Sequence, residues 1–310
     1  MSSRTSSRLG ISVAAVALLA FSAAACGSET AARGSASRTT RAAGETPKGA
    51  SEQRLEEIDP ANFDATSTTI DNRYMPLKPG TQFVYRGSDL IDGKRVPHRV
   101  DYIVTDLTKV VDGVRTVVIW DRDHSRDQLE EAELTFFAQD KTGNVWHLGQ
   151  YSEIYEGKEL AGARGFLVGY VAGAKAGIMM QAHPQPATPS YSEGYAPAPI
   201  YWTDRARIYR VGQKTTVPAG SYEDVLVTEE YSAQQTDGSQ LKYYAPGVGN
   251  VLVGFKGNDA EGEKLELVEV NQLDAAGLAR ARAQAMEVDQ RAKMYGTTPP
   301  LEQASSAAAP

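Results

Sequence analysis

Cysteine is almost missing from this chain: Cys26 is the only one in 310 residues. That excludes a disulfide framework, a thiolate zinc site and a haem-attachment pair. Histidine is sparse too. His98, His124, His147 and His183 have no zinc-ligand spacing, and there is no H-E-x-x-H or G-x-S-x-G motif. Positive charge is also short, with a formal net charge of -7. An acidic chain with scattered basic residues offers no footprint for nucleic acid and is repelled by an anionic membrane surface. Long apolar runs are lacking apart from residues 11–21, which are too short and too interrupted to span a bilayer.

What is present begins at that run. Arg4 and Arg8 precede it, and Ala23, Ala24 and Ala25 follow it directly before Cys26 and Gly27. A positive start, an apolar stretch and small residues at the cut form an export signal over residues 1–25. Ala-Ala-Ala-Cys-Gly resembles the lipobox of exported lipoproteins, with Ala23 where leucine is usual. That resemblance implies lipidation of Cys26, which gives a lone exported thiol a use. The alternatives are a plain secretory signal and an uncleaved anchor. Two or three acyl chains hold a protein firmly, because each buried methylene contributes about 0.8 kcal/mol. The expected location is extracytoplasmic, anchored to the outer face of a bacterial membrane. Residues 26–57 are small and polar and read as a flexible tether.

Residues 58–272 alternate with a period of two. Val100, Tyr102 and Val104 share one side of such a run, as do Val117 and Ile119, then Leu134 and Phe136. The turn pairs Asp92-Gly93, Asp112-Gly113, Gly143-Asn144 and Asp237-Gly238 separate the runs. The pattern predicts a mainly β domain, an antiparallel curved sheet or open barrel of hairpins. Residues 157–180, rich in Gly and Ala, read as loops or one short helix. Residues 183–202 hold five prolines and three tyrosines and read as a long ordered loop. Residues 273–296 carry Leu278, Ala281, Ala285, Val288, Ala292 and Tyr295 on one helical stripe, with Asp274 as cap. That helix is expected to lie on the domain, a coiled-coil partner helix being the alternative. Residues 297–310 read as a disordered tail.

Three constellations bear on chemistry. Asp121, Asp123, Asp127 and Glu131 crowd together with His124 and Glu130, and Asp121, Asp123, Ser125 and Asp127 have the odd spacing of a calcium loop, but Arg126 and Ala132 stand where that loop needs glycine and glutamate. A solvated hairpin end, part-neutralised by Arg122 and Arg126, is the plainer reading of this candidate metal cluster. Asp-Lys-Thr-Gly-Asn-Val-Trp at 140–146 resembles a propeller-blade turn but occurs once, so it reads as a hairpin turn before a buried Trp146. Tyr191, Tyr195, Tyr201 and Trp202 sit in or beside the proline-rich loop and form the candidate ligand-binding face. The alternative is that these rings merely cover a sheet. No residue is assigned a catalytic role and no cofactor is expected.

Three segments carry a further resemblance. They are Asp-Asn-Arg-Tyr-Met-Pro-Leu-Lys-Pro-Gly-Thr-Gln-Phe-Val-Tyr at 71–85, Phe-Ala-Gln-Asp-Lys-Thr-Gly-Asn-Val-Trp at 137–146, and Tyr-Tyr-Ala-Pro-Gly-Val-Gly at 243–249. Together the chain resembles a family of uncharacterised exported bacterial proteins, often lipoproteins, with a β-rich domain. The resemblance implies a fold and a compartment and no catalytic residue. The leading functional expectation is a tethered, non-enzymatic domain that binds an apolar or lipid-like small molecule at the cell envelope. A second is an assembly factor that contacts another envelope protein through the Pro/Tyr loop or the terminal helix. A third is a metal-assisted hydrolase using the acidic cluster.

Overall fold

The structure is a computed structural model that describes residues 54–292 and 298–304. The export signal, Cys26 and the tether as far as residue 53 lie outside the described residues, as does Tyr295. The period-two runs form strands β1 (Thr81–Ile91), β2 (Lys94–Val111), β3 (Val114–Ser125), β4 (Gln128–Gln139) and β5 (Val145–Glu156). They continue as β6 (Glu159–Leu167), β7 (Lys175–Met180), β8 (Tyr191–Ser192) and β9 (Gly194–Tyr195). The second half supplies β10 (Arg205–Val217), β11 (Gly220–Ser232), β12 (Gln235–Ala245), β13 (Gly249–Gly257) and β14 (Lys264–Gln272). Helix α1 (Ala275–Arg291) and the short β15 (Glu302–Gln303) complete the order.

All fifteen strands belong to one antiparallel sheet that is not closed. Two hairpin meanders, β1 to β5 and β10 to β14, join where β1 pairs with β14. Strand β5 pairs with β7 along its first part and with β6 along its second. The two ends of the sheet meet in one segment. Strand β8 pairs with β10, β9 pairs with β7, and only Glu193 separates β8 from β9. The expected curved, open sheet is therefore the architecture found, with residues 191–195 as its seam.

The proline-rich stretch is thus not a free loop. Its prolines 184, 186 and 189 precede the seam, where no ladder donor is needed, and Pro197 and Pro199 follow it. Residues 157–180 also depart from expectation. Strands β6 and β7 form there because β5 offers both a ladder, and tertiary pairing overrides the weak strand preference of Gly and Ala. Gly177 has a specific reason: a Cβ there would stand 2.2 Å from the backbone of Glu193 in the seam. Asp237-Gly238 is no turn but lies inside β12, where a Cβ on Gly238 would meet the Asp259 backbone at 2.5 Å.

Two apolar clusters sit on opposite faces of the sheet. The inner one includes Phe83, Val104, Ile119, Leu226, Val253 and Leu267 from strands all along the sheet. The outer one covers only the face of the first half, with Val118, Leu134, Phe136 and Leu148 beneath α1. Each fully buried side chain of this size contributes about 1.5–3 kcal/mol.

Helix α1 buries the small residues Gly277, Ala281 and Ala285 with Val288, which let it approach the sheet closely. The Asp274 carboxylate caps it by accepting from the Gly277 N–H at 2.6 Å. Three ion pairs fasten it: Arg282 to Asp106, Arg291 to Glu153, and Lys109 to Asp289. Residues 298–304 depart from the expected disordered tail, the rest of which lies outside the described residues. Leu301 is buried and β15 pairs with β2, while Lys109 donates to the Pro299 carbonyl at 2.6 Å. An apolar residue and a backbone ladder anchor what composition alone read as disorder. At the other end, Arg54 and Glu56 already contact the seam: Arg205 donates to the Arg54 carbonyl at 2.7 Å, and the Ser192 N–H donates to Glu56 at 2.6 Å.

Candidate functional site

Register explains the inside of the sheet. Val117, Ile119, Asp121, Asp123 and Ser125 alternate along β3, so all five side chains share one face. Opposite Asp121 and Asp123 on β4 stand Glu133 and Glu131, and on β2 stand Tyr102 and Val100. Val117 and Ile119 join the inner apolar cluster, so this face starts apolar and turns acidic within four residues. The second half repeats the change. Tyr244 and Leu226 lie at the apolar end, whereas Lys242 and Glu230 lie further along on the same inward face. The interior thus has an apolar recess at one end and an acidic chamber at the other.

The apolar recess has about 470 Å³ of empty space, counting the solvent at its mouth. Met75, Leu77, Phe83 and Tyr85 line it from one side, and Phe137, Tyr244, Val248 and Gly249 from others. These residues come from all three segments on which the family resemblance rests. Polar groups within it are satisfied: the Tyr85 hydroxyl donates to the Asn250 carbonyl at 2.9 Å, and burial pushes its pKa up. Met179 lines this recess and also the mouth of the acidic chamber, about 550 Å³ by the same measure.

The acidic chamber contradicts the solvated-hairpin reading. Asp121, Asp123 and Glu131 are each about 1% exposed, and only Asp127 stays on the turn, exposed and at φ 60°. Alternation also undoes the expected neutralisation. Arg122 lies between Asp121 and Asp123 in sequence and therefore on the other face, while Arg126 sits at the turn with φ 53°. Cationic help comes instead from other strands. Lys242 pairs with Glu230 at 2.5 Å, and Arg164 lies 3.5 Å from Glu131. Burial, then the neighbouring Asp121 and Glu131 charges, holds the Asp123 carboxyl well above the carboxylate range. Burial and Glu131 do the same to Glu133, while Ser152 and Gln150 donate to its carboxylate. Around the mouth, burial and Glu230 raise Glu193, and push Asp204 to about 7. Part of Asp204 is surface, but its carboxyl is enclosed by protein.

His98 stands in this chamber, and no local motif marks it as a site residue. Its Nδ1 contacts the Asp89 carboxylate and lies 3.3 Å from the Ser125 hydroxyl. Its Nε2 lies 3.6 Å from Glu263 Oε1 and 4.0 Å from Asp123 Oδ2. Asp89, His98, Asp123 and Glu263 come from β1, β2, β3 and the turn before β14. No local spacing could have joined them; the usable signal was the inward parity of 98, 121 and 123.

The tyrosine face does not assemble. Tyr191 is buried inside the sheet, Trp202 packs in the outer cluster against Phe166 with centroids 4.9 Å apart, and Tyr201 is 53% exposed. Tyr195, half-buried, pairs with Lys175 in the β7–β9 ladder. Four rings adjacent in sequence thus point to different sides because they straddle a seam. His147 beside Trp202 is fully buried between the Glu193 and Gly149 carbonyls, and burial pushes its pKa down to about 4.

Two solved structures resemble the chain. One is a candidate exported protein with a YmcC-like fold from Bacteroides fragilis NCTC 9343, 11% identical, with a TM-score of 0.38. The other is a candidate lipoprotein from Parabacteroides distasonis ATCC 8503, 12% identical, with a TM-score of 0.35. Each similarity covers 64% of this chain and 99% of the other. No protein-family model and no curated protein sequence matches the chain. Among the described residues no helix is long and apolar enough to cross a membrane.

Proposed function

We propose that this chain is a lipid-anchored, non-enzymatic envelope protein whose β domain holds an apolar or lipid-like small molecule in the recess beneath Tyr244. The observation that carries the reading is convergence: the segments 71–85, 137–146 and 243–249 are distant in sequence and meet on one apolar lining. Small-molecule pockets are typically lined by hydrophobic and aromatic side chains with a few polar groups among them. Met75 and Met179 give the lining flexible walls that repack around a guest. The anchor rests on Cys26 and the signal before it. The assembly-factor reading has less support, because α1 spends its apolar stripe on the sheet and the Pro/Tyr stretch is built into the seam.

The test uses N-phenyl-1-naphthylamine as a fluorescent apolar probe with the full chain in mild detergent. Saturable binding of one probe per chain, displaced by a long-chain fatty acid, is expected. Val248→Trp fills the half-buried rim and should weaken it at least about fivefold. Probe binding that ignores Val248→Trp would overturn the recess as the site. Cys26→Ser should move the protein out of the membrane fraction or block its processing; unchanged anchoring would refute the lipidation.

A further inference from the structure

The acidic chamber holds an arrangement that the apolar-ligand reading does not use. We propose that His98, Glu263 and Asp123 form a binding site for a divalent cation of the zinc type, with Asp89 positioning the imidazole.

Several buried polar atoms in the chamber are orphaned. His98 Nε2, Glu263 Oε1 and both carboxylate oxygens of Asp123 are buried and have no hydrogen-bond partner among the described residues. Their side chains are 2%, 3% and 1% exposed. Buried polar atoms normally find partners, and leaving one without is costly, the more so for a charge. Here Glu263 Oε1 and Asp123 Oδ2 each face the imidazole Nε2, and ligand atoms of Asp89, His98 and Glu263 all lie within 4.8 Å of one another. The separations of 3.6 Å and 4.0 Å from Nε2 are too long for hydrogen bonds. They suit donors sharing one cation, since ligands about 2.0–2.3 Å from a metal stand roughly 3–4 Å apart.

The surroundings agree. Gln240 donates to Glu263 Oε2 at 2.7 Å, which leaves Oε1 turned toward the imidazole. Asp89 on Nδ1 fixes the ring with its other nitrogen aimed at Glu263 and Asp123, the carboxylate–histidine arrangement that orients metal-binding imidazoles. Ser125 donates to the same Asp89 carboxylate at 3.2 Å and steadies it. Glu131, opposite Asp123 in register, adds negative charge beside the site. One imidazole with carboxylates favours zinc over calcium, whose sites are built from oxygen alone. Gln240 also lines the neighbouring cavity, so the site borders open space on that side.

The experiment is equilibrium dialysis of the metal-stripped full chain in detergent against zinc chloride, read by elemental analysis and melting temperature. One tightly held zinc per chain is expected, together with a rise in melting temperature. His98→Gln and Glu263→Gln should each lower affinity at least about tenfold, and Asp89→Asn about tenfold by loosening the ring. His183→Gln, far from the chamber in sequence and on no strand, is the control that should change nothing. Cobalt(II) in place of zinc should give visible d–d absorption that His98→Gln removes. If His98→Gln fails to fold, Asp89→Asn decides, because it keeps all three donors. Failure of the native chain to retain zinc at micromolar concentration would overturn the proposal. So would zinc retention that none of the three variants alters, or equal retention of calcium.

Discussion

The two ends of the sheet interior are built from the same strands and solve opposite problems. On β3, Ile119 and Asp121 are two residues apart and face the same way, yet Ile119 belongs to the apolar cluster and Asp121 to the chamber. The apolar end is held by contact area, which does not titrate. The acidic end sets charge against burial and depends on a few cations placed by distant strands. The same ladder therefore carries one region of ordinary packing and one that is conditionally stable. A conditional region is where binding can be coupled to folding.

The largest expected break is Lys242→Met. Lys242 is buried and paired with Glu230, so removing it leaves Glu230 and Glu193 without their nearest cation. Urea unfolding of the full chain should show a loss of about 3–5 kcal/mol. Next is pH. Asp204 sits near 7 and Glu193 is raised, so the folded state keeps protons that the unfolded state releases. Their stabilisation is present at low pH and lost as pH rises through about 7, so the melting temperature should be higher at pH 6.5 than at pH 8. Asp204→Asn should flatten this slope by up to about 1.4 kcal/mol per pH unit. His147 opposes the trend only below about 6.5, because its pKa is pushed down to about 4 and its contribution falls as pH drops. Smaller is Ile119→Val at the apolar end, about 0.5–1.5 kcal/mol by the same urea titration and equal at both pH values. The smallest is Tyr201→Ser: this ring is exposed, so stability should change by less than about 0.5 kcal/mol and probe binding not at all.

The alternation at 100–104, 117–120 and 132–138 makes the strands and their inner faces legible in the sequence alone. The helix stripe is legible as well, with Asp274 as its cap, and the helix it marks ends at Arg291. The acidic crowd at 121–131 is visible there as a cluster but not as a chamber. Composition counts Arg122 beside Asp121 and Asp123, whereas the pleat sends it to the opposite face. His98, Asp89 and Glu263 stay hidden because their meeting depends on β1 pairing with both β2 and β14, a contact spanning nearly the whole domain. The aromatic loop misleads for the converse reason. Proline marks it as irregular, but nothing local reveals that it joins the two ends of the sheet.

That seam has a mechanical side. Each of its flanks is secured by only two residue pairs, whereas the β10–β11 ladder beside β8 has nine. Arg54 and Glu56, the first described residues of the arm leading back toward Cys26, grip the chain on the β8 flank. If Cys26 is held in a bilayer as proposed, a tug on that arm arrives first at this two-pair stitch. On the proposed anchoring the domain hangs from its own zipper, and the force that keeps it in place is applied to a seam of two-pair ladders.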